Sequence, residues 1–190
     1  MSTVAGPDTV VVMGVSGVGK TTVAEGIVRA TGWAFAEGDT FHPPENVAKM
    51  RSGQALDDDD RRPWLGALRD WISGQEQAGS SSVVTCSALK RAYRDVLRAG
   101  NASVRFCELE ADGNLLHDRM QNRRDHYMPA SLLQSQLDTL EPLASDEPGV
   151  RVDATGETAM VVERALAALG LPTADHADSV ARDANGAPRR

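Results

Sequence analysis

Residues 10–22 read VVVMGVSGVGKTT, and this stretch decides the fold. An apolar run at 10–13 predicts a strand, and Thr22 falls in a predicted helix. Between them stands the glycine-rich segment Gly14-Val15-Ser16-Gly17-Val18-Gly19-Lys20-Thr21. It fits G-x-x-x-x-G-K-[ST] in the strand-to-helix context that this motif requires. Glycines let backbone N–H groups turn inward around phosphate oxygens, and a helix start favours negative charge. The stretch therefore predicts a phosphate-binding loop.

Two side chains of this loop predict the ligand. We expect Lys20 to reach the β- and γ-phosphates of ATP, and the Thr21 hydroxyl to bind Mg²⁺. The alternative is a glycine-rich turn that binds nothing, but a basic residue at a helix start opposes the helix dipole unless an anion offsets it. A P-loop does not by itself separate kinases from switches, motors or transporters. A Ras-type GTPase is disfavoured, because no Asn-Lys-x-Asp occurs in the sequence.

The rest of the chain alternates short β-rich runs with amphipathic stretches, which is typical of βαβ units. Strands are predicted at 10–13, 34–37, 82–86, 104–109 and 150–153. Helices are predicted at 21–31, 44–51, 62–77, 90–99, 113–123, 129–140 and 157–169. The pattern predicts an α/β P-loop NTPase fold, with three α/β/α layers around a five-stranded parallel sheet. We expect one domain at 1–171 with a helical lid at about 119–140, and a disordered tail at 172–190.

Composition narrows the environment and the partners. The formal net charge of −7 argues against a general nucleic-acid binder. Cys86 and Cys107 each lie in an apolar stretch, which favours buried, reduced thiols over a disulfide or a metal site. Residues 1–8 lack the basic start and apolar run of a signal peptide, and no stretch is apolar enough to span a membrane. We therefore expect a cytoplasmic protein with neither nucleic-acid nor membrane partners.

The acceptor site is predicted after the second strand, where the sequence reads Glu37-Gly38-Asp39. Ligands gather at the carboxyl ends of strands in an open parallel sheet, so Asp39 should face the space beside the P-loop. A carboxylate there accepts a proton from an attacking hydroxyl or holds a water on Mg²⁺, whereas a turn-capping role is the alternative. The third strand ends in Ser87 instead of the Asp that holds magnesium in many P-loop proteins, which adds weight to Asp39.

Polar residues further along leave two interpretations open. His42, before two prolines, is either a substrate contact or a loop residue. Lys49 and Arg51 end a short predicted helix, where the dipole stabilises cations with or without a ligand. The four aspartates at 57–60 are predicted to cap the helix at 62–77, because hard-cation sites use spaced ligands that converge.

A lid is predicted from Arg119, Arg123 and Arg124, with Asp125 and His126 next in the sequence. Arginines four residues apart lie on one helical face, where they can clamp a triphosphate together. On a closing lid they would stabilise charge on the transferring phosphoryl group and exclude water. An ordinary basic last turn of a helix is the alternative.

With these residues in place, the chain resembles the gluconate kinase family of P-loop, nucleoside-monophosphate-kinase-like enzymes over about residues 9–170. Three stretches carry the resemblance: MGVSGVGKT at 13–21, GDTFHPPENVAKM at 38–50 with LDDDDRRPWL at 56–65, and CSALKRAYRDVLR at 86–98. The second and third are far more specific than the P-loop.

The resemblance implies transfer of the ATP γ-phosphate to the 6-hydroxyl of D-gluconate by a homodimeric enzyme. The substrate residues that it implies are Asp39, His42, Lys49, Ser87, Lys90 and the lid residue His126. The sequence departs from the family pattern at Glu37, where Asp is common, at Ala55, where Pro is common, and at Asp125, where Gly is usual. The last change is predicted to stiffen the lid and to affect rate more than substrate identity.

Together these residues give a mechanistic hypothesis. Lys20, Thr21 through Mg²⁺, and Arg123 or Arg124 stabilise the transferring phosphoryl group, while Asp39 orients and deprotonates the gluconate hydroxyl.

Two alternatives remain open at this point. One is another small-molecule kinase of the same architecture, of shikimate or nucleotide type, and the stretch at 86–98 argues against it. The other is a regulatory module that binds ATP without transferring phosphate, and Asp39 with the lid arginines counts against that.

Overall fold

The structure is a computed structural model that describes residues 6–121 and 132–172. Its centre is a sheet of parallel strands in the order β2-β3-β1-β4-β5. The strands are Thr9–Met13 (β1), Ala34–Glu37 (β2), Ser82–Thr85 (β3), Val104–Glu110 (β4) and Gly149–Asp153 (β5). Each strand lies within one residue of the bounds that the apolar runs predicted. The five-stranded parallel sheet is therefore confirmed.

Helices connect the strands in the predicted places. They are Lys20–Thr31 (α1), Pro44–Arg51 (α2), Asp58–Gln77 (α3), Arg91–Arg98 (α4), Gly113–Gln121 (α5), Leu132–Thr139 (α6) and Thr158–Leu169 (α7). A 3₁₀ turn at Gly38–Phe41 follows β2. The predicted helices at 113–123 and 129–140 run into residues 122–131, which lie outside the described residues, as do residues 173–190 of the predicted tail.

The start of α3 corrects one prediction. The helix begins at Asp58 and not at residue 62, because the aspartates form its first turn instead of merely preceding it. The side chain of Asp57 accepts a hydrogen bond from the backbone N–H of Asp60 at 2.8 Å, and the Asp60 carboxylate accepts from the Asp57 N–H at 2.9 Å. This reciprocal capping box satisfies two backbone donors, and the acidic first turn fits the helix dipole.

The core lies on both faces of the sheet. Every residue of β1 and β3 is buried, and helices pack in pairs, α1 with α7 and α3 with α4. Strands buried along their whole length need helices on both sides, so the layers are those of an α/β P-loop fold. In the described ranges, no helix combines the length and apolar character needed to cross a membrane.

Candidate active site

The phosphate loop joins β1 to α1 over the carboxyl edge of the sheet. Its backbone is fixed at Gly14, whose N–H donates to the Ser87 carbonyl at 3.3 Å. Gly14 has a φ of +134°, and a Cβ there would stand 2.8 Å from the carbonyl oxygen of Leu109, so only glycine fits this approach. Further along the loop, the Lys20 ammonium donates to the Val15 carbonyl at 3.2 Å. The loop therefore has the strand-to-helix geometry that the motif predicted.

A cavity opens between this loop and the carboxyl ends of β2 and β3, with α6 as a further wall. From the loop it is lined by Ser16, Gly17, Gly19, Lys20 and Thr21; from the acceptor side by Glu37, Asp39, His42, Met50, Ala55, Leu56, Arg61 and Ser87; and from α6 by Leu132, Ser135 and Gln136. The fold thus brings eight of the predicted site residues to one space: Ser16, Gly17, Gly19, Lys20 and Thr21 of the loop, with Asp39, His42 and Ser87.

Glu37 ties the phosphate loop to the end of the sheet. Its carboxylate accepts a hydrogen bond from the Thr21 hydroxyl at 2.9 Å and a second, short one from the Thr85 hydroxyl. The same Thr85 oxygen accepts from the Gly38 N–H at 3.0 Å. In the sequence, Glu37 is a departure from the Asp that is common in the family, and no role was predicted for it. In the structure, its side chain, which is longer than that of Asp, bridges the Thr21 and Thr85 hydroxyls.

The donors around Thr21 suit a hard cation. Thr21, Glu37 and Asp39 line the cavity with hydroxyl and carboxylate oxygens, which are the ligands that Mg²⁺ prefers. In residues 6–121 and 132–172, no group of three or more His, Cys, Asp or Glu side chains converges on a metal site. Magnesium at phosphoryl-transfer sites is usually held by one or two protein groups together with the substrate phosphates, and this sparse donor set fits that pattern.

His42 is held neutral beside Asp39. Its ring stacks on Trp64 with centroids 4.1 Å apart, and the Trp64 indole N–H donates to the Gly38 carbonyl at 2.8 Å. Burial lowers the pKa of His42 to about 4, the Asp39 charge opposes this shift and Arg61 adds to it. Nδ1 of His42 is buried and has no hydrogen-bond partner among the described residues. A neutral imidazole of this kind is suited to binding a hydroxyl group.

A second cavity also adjoins the phosphate loop. It shares Gly17 and Gly19 of that loop with the first cavity. Its remaining lining residues are Val18, Thr22, Val23, Asp118, Arg119, Ala154, Thr158 and Val161. The Arg119 guanidinium donates to the carbonyls of Val18 at 3.3 Å and Ala154 at 3.0 Å. Arg119 thus joins α5 to both walls of a partly apolar cavity adjoining the phosphate loop, and an aromatic base suits such a place.

Comparison with known proteins agrees with this geometry. Residues 10–143 match a family model described as an AAA domain. A gluconokinase from Gluconobacter oxydans (strain 621H) is 50% identical over 160 residues, which cover 84% of this chain and 90% of that protein. The chain belongs to the gluconokinase family. A crystal structure of a gluconokinase from Sinorhizobium meliloti 1021 is 44% identical, with a TM-score of 0.78 over 93% of this chain and 97% of that one.

A second solved structure is similar in the same way. An unliganded sugar kinase from Janibacter sp. HTCC2649 is 52% identical and has a TM-score of 0.83, covering 87% of this chain and 95% of that chain. The P-loop kinase fold inferred from the sequence is thereby confirmed.

Two lysines that the gluconokinase resemblance implied as substrate ligands lie outside the cavity lining. The Lys49 ammonium forms a short ion pair with Asp60 and a second one with Asp57 at 3.6 Å. The Lys90 ammonium contacts both carboxylate oxygens of Asp58, at 2.8 and 3.1 Å. A substrate role for either lysine stays a prediction. To bind a carboxylate of the substrate, each ammonium group would have to release the aspartate that it contacts in this structure. The predicted lid residues Arg123, Arg124 and His126 lie outside the described residues.

A buried ion pair fixes the backbone next to Ser87. Arg94 and Glu147 meet through two hydrogen bonds of 2.6 and 2.8 Å, and both side chains are 1% exposed. The remaining guanidinium nitrogen of Arg94 donates to the carbonyls of Ala88 and Glu141, both at 3.0 Å. Ala88 has a φ of +43°, which is unusual for a residue with a Cβ. Arg94 therefore holds the strained residue next to Ser87 in the cavity wall.

Sequence reasoning gave no site role to Arg61 or Gln136. The Gln136 side chain accepts from the Ser16 N–H at 2.7 Å and lies 3.2 Å from the Ser16 hydroxyl, so α6 contacts the phosphate loop directly. No motif spacing indicates a contact between residues so far apart in the chain. For Arg61 a signal was present, namely a cation near the start of a helix, directly after the aspartates at 57–60.

Proposed function

We propose that this protein transfers the γ-phosphoryl group of ATP to the 6-hydroxyl of D-gluconate and releases 6-phospho-D-gluconate and ADP. The observation that carries the proposal is the single cavity that joins Lys20 and Thr21 of the phosphate loop to Asp39 and Ser87. These acceptor residues stand in the stretches that resemble gluconate kinases, and the 50% identity to a gluconokinase extends over most of both chains.

ATP binding is assigned to the loop and the second cavity. The triphosphate would lie along Gly14–Thr22 with Lys20 at its β- and γ-phosphates, and the base would enter the cavity beside Arg119 and Thr158. Thr21, with Glu37 and Asp39 near it, would hold Mg²⁺. The ion would supply positive charge that lowers the repulsion between the phosphates and the attacking oxygen.

Asp39 is proposed as the base. The 6-hydroxyl oxygen attacks the γ-phosphorus, the bond between that phosphorus and the bridging oxygen of ADP breaks, and the hydroxyl proton passes to the Asp39 carboxylate. Neutral His42 and Ser87 would bind other hydroxyls and so orient the sugar acid. Both line the same wall as Asp39, which supports this assignment.

The lid residues and the assembly extend the proposal. Arg123 and Arg124 would stabilise charge on the phosphoryl group in flight, and His126 would contact the substrate, with Asp125 slowing lid closure. We also propose a homodimer that works in the cytoplasm. Both cysteines of the sequence, Cys86 and Cys107, are free and buried, and cysteines that form no disulfide fit a reducing compartment.

An assay that couples ADP release to NADH oxidation tests the function across a panel of acceptors. The panel should include D-gluconate, other sugar acids, shikimate and nucleoside monophosphates, each with ATP and Mg²⁺. We expect selective turnover of gluconate. Preferential turnover of shikimate or of a nucleotide would refute the substrate, and ATP hydrolysis that no acceptor alters would favour a regulatory module.

A further inference from the structure

Arg61 occupies a position that the stability of its own helix does not explain. It directly follows Asp58, Asp59 and Asp60, which form the first turn of α3 and fit the positive end of the helix dipole. A guanidinium beside that turn is disfavoured by the same dipole unless anions lie near it. The nearest anions are these aspartates, and the Arg61 charge acts on Asp58.

The aspartates beside Arg61 are already paired with other cations. Asp59 binds Arg62 at 3.0 Å, Asp58 binds Lys90, and Asp57 and Asp60 bind Lys49. Among the described residues, Arg61 forms no ion pair with a carboxylate, and its Nε is buried without a hydrogen-bond partner. A buried donor left in this way is costly unless a ligand supplies the acceptor.

The contacts of Arg61 place it at the first cavity, between the phosphate loop and the ends of β2 and β3. Its guanidinium carbon lies 5.6 Å from the ring centroid of Tyr93, whose hydroxyl donates to Asp58, so one side of the group is covered by an aromatic face. Arg61 lines the acceptor cavity together with Asp39 and His42. Of the lining residues that the structure describes, the basic ones besides His42 are Lys20 and Arg61, and Lys20 belongs to the phosphate loop.

We propose that Arg61 binds the carboxylate of the acceptor and thereby makes the enzyme select sugar acids over neutral sugars. The proposal rests on the function proposed above and names the residue behind its substrate class. Gluconate carries its carboxylate at C1 and the reacting hydroxyl at C6, so Arg61 would hold one end of the substrate while Asp39 receives the other. A guanidinium matches a carboxylate through two parallel hydrogen bonds, which a lysine does not provide.

The test compares two acceptors in two proteins. D-Gluconamide keeps every hydroxyl of gluconate and loses only the charge, so the ratio of kcat/KM for gluconate to kcat/KM for the amide measures recognition of the carboxylate. In the unsubstituted protein we expect a ratio of about 10 to 100, the range for a hydrogen bond to a charged group. In Arg61→Gln the ratio should fall to about 1, with the KM for ATP unchanged, and Arg61→Lys should recover part of it.

Arg62→Gln is the matched control, because Arg62 is the adjacent arginine on the same helix, is exposed and pairs with Asp59. It should leave the ratio unchanged. The inference is overturned if Arg61→Gln keeps the ratio of the unsubstituted protein, or if the variant loses both acceptors equally and raises the KM for ATP, which would place Arg61 at the phosphates. Absence of gluconate turnover by the unsubstituted protein would instead refute the proposed function, and this inference with it.

Discussion

Removing one partner of the buried Arg94–Glu147 pair should destabilise the whole domain. Both side chains are 1% exposed and share two hydrogen bonds, and Arg94 also satisfies the carbonyls of Ala88 and Glu141. In Arg94→Met, the Glu147 carboxylate loses its cation while it stays buried. Glu147→Gln keeps the shape of the side chain but leaves the guanidinium without its counter-charge.

The expected magnitude follows from the burial. Breaking a fully buried pair by removing one partner costs about 3–5 kcal/mol in the free energy of unfolding. For a domain of this size, that loss corresponds to a fall in Tm of about 2–4 °C per kcal/mol, or roughly 6–20 °C. The double variant Arg94→Met/Glu147→Gln should lose less than the sum of the single variants, because neither leaves the other's charge stranded.

Urea unfolding followed by circular dichroism measures these free energies, with thermal melts alongside. Arg91→Met is the control, since Arg91 pairs with Asp146 at 2.7 Å while both side chains are about half exposed or more, at 46% and 65%. That exposed pair should contribute below about 1 kcal/mol. Single-variant losses near those of Arg91→Met, or strictly additive losses in the double variant, would refute the assigned role of the buried pair.

The same pair gives a dependence on pH. Hydrogen bonds from Arg94, opposed by burial, hold the pKa of Glu147 below its ordinary value. A carboxyl group with a depressed pKa stabilises the fold above its unfolded pKa of about 4.3, and this contribution is lost as the pH falls through the folded value. The stability difference between the unsubstituted protein and Glu147→Gln should therefore be full at pH 7 and shrink below about pH 4.

Three further outcomes are expected. Asp39→Asn should lower kcat for gluconate by about 10²–10⁴-fold with the KM for ATP unchanged, and unchanged gluconate turnover would exclude Asp39 as the base. Because the pKa of His42 is about 4, the KM for gluconate should show no His42 inflection between about pH 5.5 and 7.5; an inflection near pH 6.5 that His42→Asn removes would contradict the buried neutral ring. Gly38→Ala would place a Cβ 1.9 Å from the Thr85 carbonyl oxygen, so it should destabilise the fold by about 1–3 kcal/mol and lower activity, and a fully stable, active variant would show that this approach is looser than described.

Local sequence patterns predicted most of the fold because each element is locally consistent. The strands fell within one residue of their predicted bounds, and Gly32 stops α1 in the left-handed conformation expected of a C-cap. The order of the strands could not be predicted from local patterns, because it comes from pairing across the sheet. The predicted start of α3, at residue 62, lies beyond the observed start at Asp58. A run of aspartates is equally typical of the residues that cap a helix and of its first turn.

The candidate site contains both kinds of residue: some were predictable from local sequence patterns, and others are placed by tertiary packing. Lys20, Thr21 and Asp39 follow directly from strands that end at one edge of a parallel sheet. Arg61 and Gln136 reach the cavity only because α3 and α6 pack beside that edge. The family resemblance implied Lys49 and Lys90 as substrate ligands, but their ion pairs with the aspartates at 57–60 depend on the tertiary fold.

The identity and amount of the product test the central claim most directly. ATP, Mg²⁺ and D-gluconate should be incubated with the protein, and the product measured by adding NADP⁺ and a dehydrogenase specific for 6-phosphogluconate. We predict one NADPH for each ADP formed and, in a sample without the dehydrogenase, a single phosphate monoester at C6 by phosphorus NMR. ADP formation without NADPH, or a phosphate at another carbon, would contradict the account.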